Sequence, residues 1–230
     1  MTTNSEYYTI QFEVLKNKDY SKALELLKKS DNFFSDKFQE LYADILFAQN
    51  NFAQSAAIYE KLGQFYKFGY CTLLFGDRQN AQLIWENCPK SAAQNWGIFF
   101  CQLFTDKVTV LPTYLQIRAF LERDLGAFLK LNHIEFVQKI IDISEYLADI
   151  NPETNKIIAR CFLYNNYPTY AKEFFKRAFD FTTEDAELYY LSGLYYIKMN
   201  DLSEAKKCLR NAIKLNENYF PAKELLSELC

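Results

Sequence analysis

A catalytic site needs a nucleophile beside a base, paired carboxylates, a cluster of metal ligands or a phosphate cradle, and this 230-residue chain is sparing with all of them. Its one histidine, His133, follows Asn132 at a helix start; with no second imidazole it reads as a surface or capping residue rather than a ligand. Six cysteines stand at 71, 88, 101, 161, 208 and 230, with no CxxC pair, and several fall at apolar helical positions. There a thiol behaves as a small hydrophobe, so structural thiols and a reduced, cytoplasmic setting are expected. Glu122 and Asp124 flank Arg123, but carboxylates two apart on a helix do not face each other. No Gly-rich phosphate loop, HExxH, GxSxG or calcium-loop spacing occurs. The expectation is a chain that is not an enzyme, with no metal and no cofactor.

Composition narrows the partners in the same direction. With 26 basic and 29 acidic residues the formal net charge is −3, so no excess positive field exists to hold a phosphate backbone. The densest basic spots, Lys28–Lys29 and Lys206–Lys207, are short and flanked by acids, which argues against nucleic acid. The longest apolar run, Trp96–Phe104, is interrupted by Gln102 and is far too short to span a membrane. Residues 1–15 show no basic stretch followed by an apolar core, so no secretory signal is expected. Half the residues are hydrophobic and 17% aromatic, which marks a folded chain. Only six Gly and five Pro are available for turns, so long helices are favoured over a β-sandwich.

The elements that must position these side chains are legible as a repeat. Gly193, Tyr196, Ala205, Leu209 and Ala212 form a spaced set, and 34 residues earlier stand Ala159, Phe162, Ala171, Phe175 and Ala178. A second step of 34 gives Leu125, Phe128, Val137, Ile141 and Ser144, a weaker echo. Small residues at Gly193 and Ala205 let two antiparallel helices approach closely, while Tyr196 and Leu209 fill the space beside them. The segment 186–219 therefore resembles the tetratricopeptide repeat, a helix–turn–helix. Tyr189 takes the usual Trp position, Gly193 the Gly position, and Ala205, Leu209 and Ala212 the small and large positions of the second helix; Glu217 replaces the usual Pro.

The N-terminal half carries the same pattern less regularly. Ala23 and Leu27, Ser55 and Tyr59, and Ala81 and Trp85 occupy the second-helix positions, with Gly69 as the preceding small residue. Turns are read at Lys16–Asp19, Gln49–Asn51 and Phe75–Asp77, and the 26-residue step from Ser55 to Ala81 marks compressed units. Residues 91–105 read as one helix, Asp106–Val110 as a linker, and Pro112 as part of the first turn of a long helix, bent at Gly126. A helix over 134–149 follows, with Asn132 as its cap. The expected architecture is an all-α, antiparallel helix-pair solenoid of about six pairs. It comprises an irregular sub-array at 1–105, an irregular segment at 106–117, repeats at 118–151, 152–185 and 186–219, and a capping helix at 220–230. In that last helix Leu225, Leu226 and Leu229 turn inward.

The resemblance implies a binding role, because in such arrays the first helix of each pair lines a concave groove. Mapping its fifth and ninth motif positions selects Tyr8 and Phe12, Glu40 and Asp44, Tyr66 and Tyr70, Lys156 and Arg160, and Tyr190 and Leu194. Tyrosine there gives large contact area with a hydrogen-bonding tip; several of the tyrosines read equally well as packing between compressed repeats. The sequence KIIAR at 156–160 looks like half of the family's clamp for a peptide carboxylate. Glu122 and Gly126 stand where the other half should be, and Glu122 would oppose a carboxylate, so Asp-rich C-terminal peptides should bind weakly or not at all. The leading reading is a non-catalytic scaffold that holds a peptide or helix of a protein partner. A self-assembling module, with a homodimer formed through 96–117 or the terminal helices, is the second. The third is an accessory subunit of a bacterial enzyme or cell-envelope system such as a glycosyltransferase.

Overall fold

The computed structural model describes residues 3–229, and its reversals are made at residues that tolerate left-handed backbone. Asn50, Gly76, Asn132, Asn166 and Asn200 have φ of 62, 104, 58, 66 and 62°. After each, the next amide donates to the carbonyl five residues back, at 2.8–3.1 Å: Asn51 to Leu46, Asp77 to Thr72, His133 to Phe128, Tyr167 to Phe162 and Asp201 to Tyr196. This closes the end of the first helix, using the short amide side chain or glycine that the left-handed region favours. At the first reversal a π-turn, Glu13–Asn17, adds a residue, and Lys18 (φ 50°) takes the left-handed position.

Fifteen α-helices and no strand are found among the described residues. The described chain divides into two compact units between Leu111 and Pro112. In the first, α1 (Thr3–Phe12) with its π-turn pairs with α2 (Tyr20–Lys29), α3 (Asp36–Ala48) with α4 (Phe52–Lys61), and α5 (Phe65–Leu74) with α6 (Arg78–Glu86); α7 (Ala92–Gln102) has no second helix. In the second, α8 (Tyr114–Lys130) is followed by α9 (Ile134–Asp142) and α10 (Ser144–Ile150). Next come α11 (Thr154–Tyr164) with α12 (Pro168–Phe181), α13 (Ala186–Lys198) with α14 (Leu202–Leu215), and finally α15 (Phe220–Glu228). The architecture is thus all-α and built from helix pairs. Aspartates cap several helices: the Asp19, Asp77, Asp185 and Asp201 carboxylates accept from the Lys22, Asn80, Leu188 and Glu204 amides.

Packing follows a register set by the left-handed residue. Five positions beyond it stands a small residue and nine beyond it a large one: Ala23 and Leu27, Ser55 and Tyr59, Ala81 and Trp85, Ala171 and Phe175, Ala205 and Leu209, all buried. Gly193 shows why the first helix needs a small residue, since a Cβ there would lie 2.9 Å from Leu209 Cδ2. In the compressed third pair Trp85 fills the large position. Added Cβ atoms at Gly69 of α5 and Gly97 of α7 would come within 2.4 and 2.6 Å of its indole, so two glycines make room for one tryptophan. At the C-terminal end Leu225 and Leu226 of α15, with Leu229 just after it, pack against Leu209, Ala212 and Ala222, the inward set expected of a capping helix.

Three local readings are corrected. The helix expected over 134–149 breaks at Ile143. There the Ser144 hydroxyl donates to the Ile141 carbonyl (2.7 Å); at the far end of α10 the Thr154 hydroxyl donates to the Leu147 carbonyl (3.0 Å). Asn132 is the left-handed residue that ends α8, not a cap; His133 occupies the cap position without a side-chain hydrogen bond. Pro112 lies just outside the helix it was placed in, because Thr113 and Gln116 form a capping box that starts α8 at Tyr114. The Asp106–Val110 linker is tied down by buried Gln102, whose side-chain oxygen accepts from the Thr109 and Val110 amides (2.8 and 3.1 Å).

Candidate protein-interaction site

The first helices of each unit carry the side chains singled out by motif position, and the two units treat them differently. In the first unit Glu40 and Asp44 lie one turn apart on α3, and Lys67 of α5 reaches both, at 2.8 and 3.0 Å. Burial opposes the charge on Lys67, but the two carboxylates outweigh it and hold its pKa above the ordinary value. The Tyr59 hydroxyl also donates to Asp44; burial first, then that carboxylate, push its phenol well above the usual range. Beside this network Tyr8 and Phe12 project from α1 at 62% and 54% exposure. Lys37 sits 3.9 Å over the Tyr7 ring and 5.6 Å over Tyr8.

Tyr66 and Tyr70 are placed otherwise. Their rings stack on each other at 6.1 Å; Tyr70 stacks on Phe47 and Tyr66 on Trp85, each at 6.0 Å. Tyr70 is buried and Tyr66 half-buried. The row Phe47–Tyr70–Tyr66–Trp85 is the packing arrangement between compressed repeats, whereas Tyr8 and Phe12 are exposed.

In the second unit, Arg160 of α11 is held by carboxylates from both neighbouring first helices. Its Nε and Nη2 fork onto Glu122 of α8 at 2.8 and 2.6 Å, and Nη1 meets Glu187 of α13 at 2.6 Å. Lys156, one turn earlier and buried, contacts Asp185 (2.8 Å), Glu187 (3.0 Å) and Glu153 (3.2 Å). Burial works against the Lys156 charge, but the Asp185 and Glu187 hydrogen bonds prevail and raise its pKa. Asp185, also opposed by burial, is lowered by Lys156 and by the Leu188 amide it caps. Four carboxylates surround two cations, so the half-clamp read from KIIAR is already filled by the chain's own acids. Along this face Tyr164 is 56% exposed, Tyr190 packs on Tyr219 at 5.5 Å, and Leu194 is half-buried.

Glu153, Glu187 and Tyr164 were missed by mapping only the fifth and ninth positions. They stand at the second and thirteenth positions of the same motif, so the signal was present in the repeat register. Tyr219 belongs to the turn before α15 and carries no motif signal. Among the described residues no group of three His, Cys, Asp or Glu side chains could hold a metal ion. No helix there is long and apolar enough to cross a membrane.

Comparison with known proteins finds a family match in one segment of this chain. The tetratricopeptide-repeat family model matches residues 186–219. No curated protein sequence matches the chain. Among solved structures, YrrB, described as a tetratricopeptide protein with an unusual peptide-binding site, aligns at 13% identity and TM-score 0.36, covering 90% of this chain and 97% of its own. A tetratricopeptide repeat protein from Parabacteroides merdae aligns at 15% identity and TM-score 0.40, with 98% and 99% coverage. The tetratricopeptide domain of P58(IPK) aligns at 15% and 0.37, covering 98% of this chain and 65% of that one. The chain is a helical repeat protein whose residues 186–219 match the tetratricopeptide-repeat model, and antiparallel helix pairs make up most of its described length.

Proposed function

We propose that the chain is a non-catalytic scaffold that holds a segment of a partner protein against the first helices of its pairs. Helix-pair repeats present side chains in fixed rows, and a row of first helices suits an extended or helical peptide. The observation that carries this reading is the saturation of Lys156 and Arg160 by Glu122, Glu153, Asp185 and Glu187, beside exposed Tyr164. This face has an excess of carboxylate and an open aromatic ring. It favours a partner segment bearing basic and apolar side chains, with a cation placed over Tyr164 and paired with the spare acid. A terminal carboxylate would find both cations engaged and Glu122 opposing it.

The test is affinity capture from native lysate with the full chain, comparing wild type with Tyr164→Ala and with Tyr8→Ala/Phe12→Ala by mass spectrometry. These side chains are mostly exposed, so helicity by far-UV circular dichroism stays at the wild-type value. A protein recovered by wild type and lost with these variants is expected. Equal recovery by all three overturns the reading.

A further inference from the structure

The second helices of the C-terminal unit enclose a groove separate from the first-helix face. α12 and α14 flank it, and a different stripe of α13 floors it, around a volume of about 450 Å³. The floor is aromatic. Phe179 meets Tyr189 at 4.9 Å, Phe175 meets Tyr195 at 5.9 Å, and Tyr195 meets Tyr196 at 5.1 Å. The rim is basic: Lys172 and Lys176, one turn apart on α12, and Lys207 on α14, all exposed. Glu204 is the one carboxylate in the lining, and Lys207 holds it at 3.3 Å. Lys172 and Lys176 have no ion-pair partner among the described residues. Phe175 and Tyr195 are buried, and Phe179, Tyr189 and Tyr196 leave a half-exposed aromatic floor under the Lys172 and Lys176 ammonium groups, on a chain whose net charge is −3.

We propose that this groove binds an acidic segment of a partner protein carrying an aromatic or aliphatic anchor. The anchor lies on the ring floor, where burying an apolar side chain is favourable, and the flanking carboxylates meet Lys172 and Lys176. Charge complementarity decides the class of occupant. A basic segment would bring its cations against three ammonium groups, and an uncharged one would leave Lys172 and Lys176 unanswered.

The test uses the full chain and a fluorescein-labelled octapeptide, Glu-Asp-Phe-Glu-Asp-Leu-Glu-Asp, read by fluorescence anisotropy. Binding is expected that weakens about tenfold in Lys172→Glu/Lys176→Glu, and again in Asn211→Glu, which adds a carboxylate to the lining. All three positions are at least partly exposed, and far-UV circular dichroism confirms that the variants fold. Tyr164→Ala, on the first-helix face, leaves this affinity unchanged, so failure here is distinguishable from failure of the scaffold reading. The inference is overturned by absent binding or by an affinity indifferent to the lysine reversals. Equal binding of the octapeptide with Ser in place of Phe and Leu also overturns it, as does a mass doubling by light scattering that the reversals abolish, which would assign the groove to a second copy.

Discussion

Replacing Gly97 by alanine tests whether one tryptophan sets the geometry of the compressed repeat. Trp85 is 2% exposed, with its five-membered ring against Gly69 and its six-membered ring against Gly97. A methyl at 97 would lie 2.6 Å from Cε3 and Cζ3. Ordinary carbon contacts need about 3.5 Å, so the indole or α7 must move by about 1 Å. Overpacking of this kind costs about 1–3 kcal/mol, against a gain of about 1 kcal/mol for alanine over glycine within a helix. The net expectation is a loss of up to about 2 kcal/mol. Trp85→Leu alone leaves a cavity and costs about 2–4 kcal/mol. Combined with Gly97→Ala it should cost less than the two together, because the new methyl enters the vacated space and leucine is the residue this register uses at Leu27 and Leu209. Urea titration followed by tryptophan fluorescence is the assay. Both tryptophans, Trp85 and Trp96, lie in the N-terminal unit, and Trp96 still reports in the leucine variant. A raised midpoint for Gly97→Ala, or strict additivity in the double variant, refutes the reasoning.

Three further outcomes are expected. Asp185 has its folded pKa below the ordinary value of 3.8, so the stability it contributes is full above that value and disappears as pH falls through the folded one. Asp185→Asn should therefore flatten the acid limb of a stability profile measured by circular dichroism; an unchanged limb refutes the Lys156 pairing. Burial pushes the Cys71 and Cys208 thiols up to about 11 and Cys101 and Cys161 up to about 12, whereas Cys88 is only half-buried. Alkylation of the native protein should label Cys88 first among these five, read by peptide mass spectrometry, and faster labelling of any other counts against the burial argument. Asn200 has φ 62°, so Asn200→Gly should be close to neutral and Asn200→Ala should cost about 1 kcal/mol by thermal denaturation; alanine at no cost refutes the left-handed turn.

The repeat was legible because its causes are local. A left-handed residue, a small residue five positions on and a large one nine positions on fold one helix back on another in five pairs; after Asn132 the same positions hold Val137 and Ile141. The same logic exposed the third pair's shortening, though not its reason, since Trp85 meets its two glycines on separate helices. The break at Ile143 was not legible. At it the Ser144 hydroxyl takes the Ile141 carbonyl, while the apolar period runs through unbroken.

The candidate face divides along the same line. Motif position alone selected Lys156, Arg160, Glu40 and Asp44, because the repeat sets which residues a first helix turns outward. Whether those charges stand free is a question about partners far along the chain. Arg160 meets Glu122 at a separation of 38 residues and Glu187 at 27, and Lys67 meets Glu40 at 27. Tyr66 and Tyr70 likewise had the composition of a binding row and became a stack on Phe47 and Trp85. The sequence by itself determined the repeating helix pair, because the turn and the close contact lie within one motif. Only the tertiary structure decided which outward residues are spent on one another, because ion pairs and ring stacks join neighbouring repeats whose residues share no local rule.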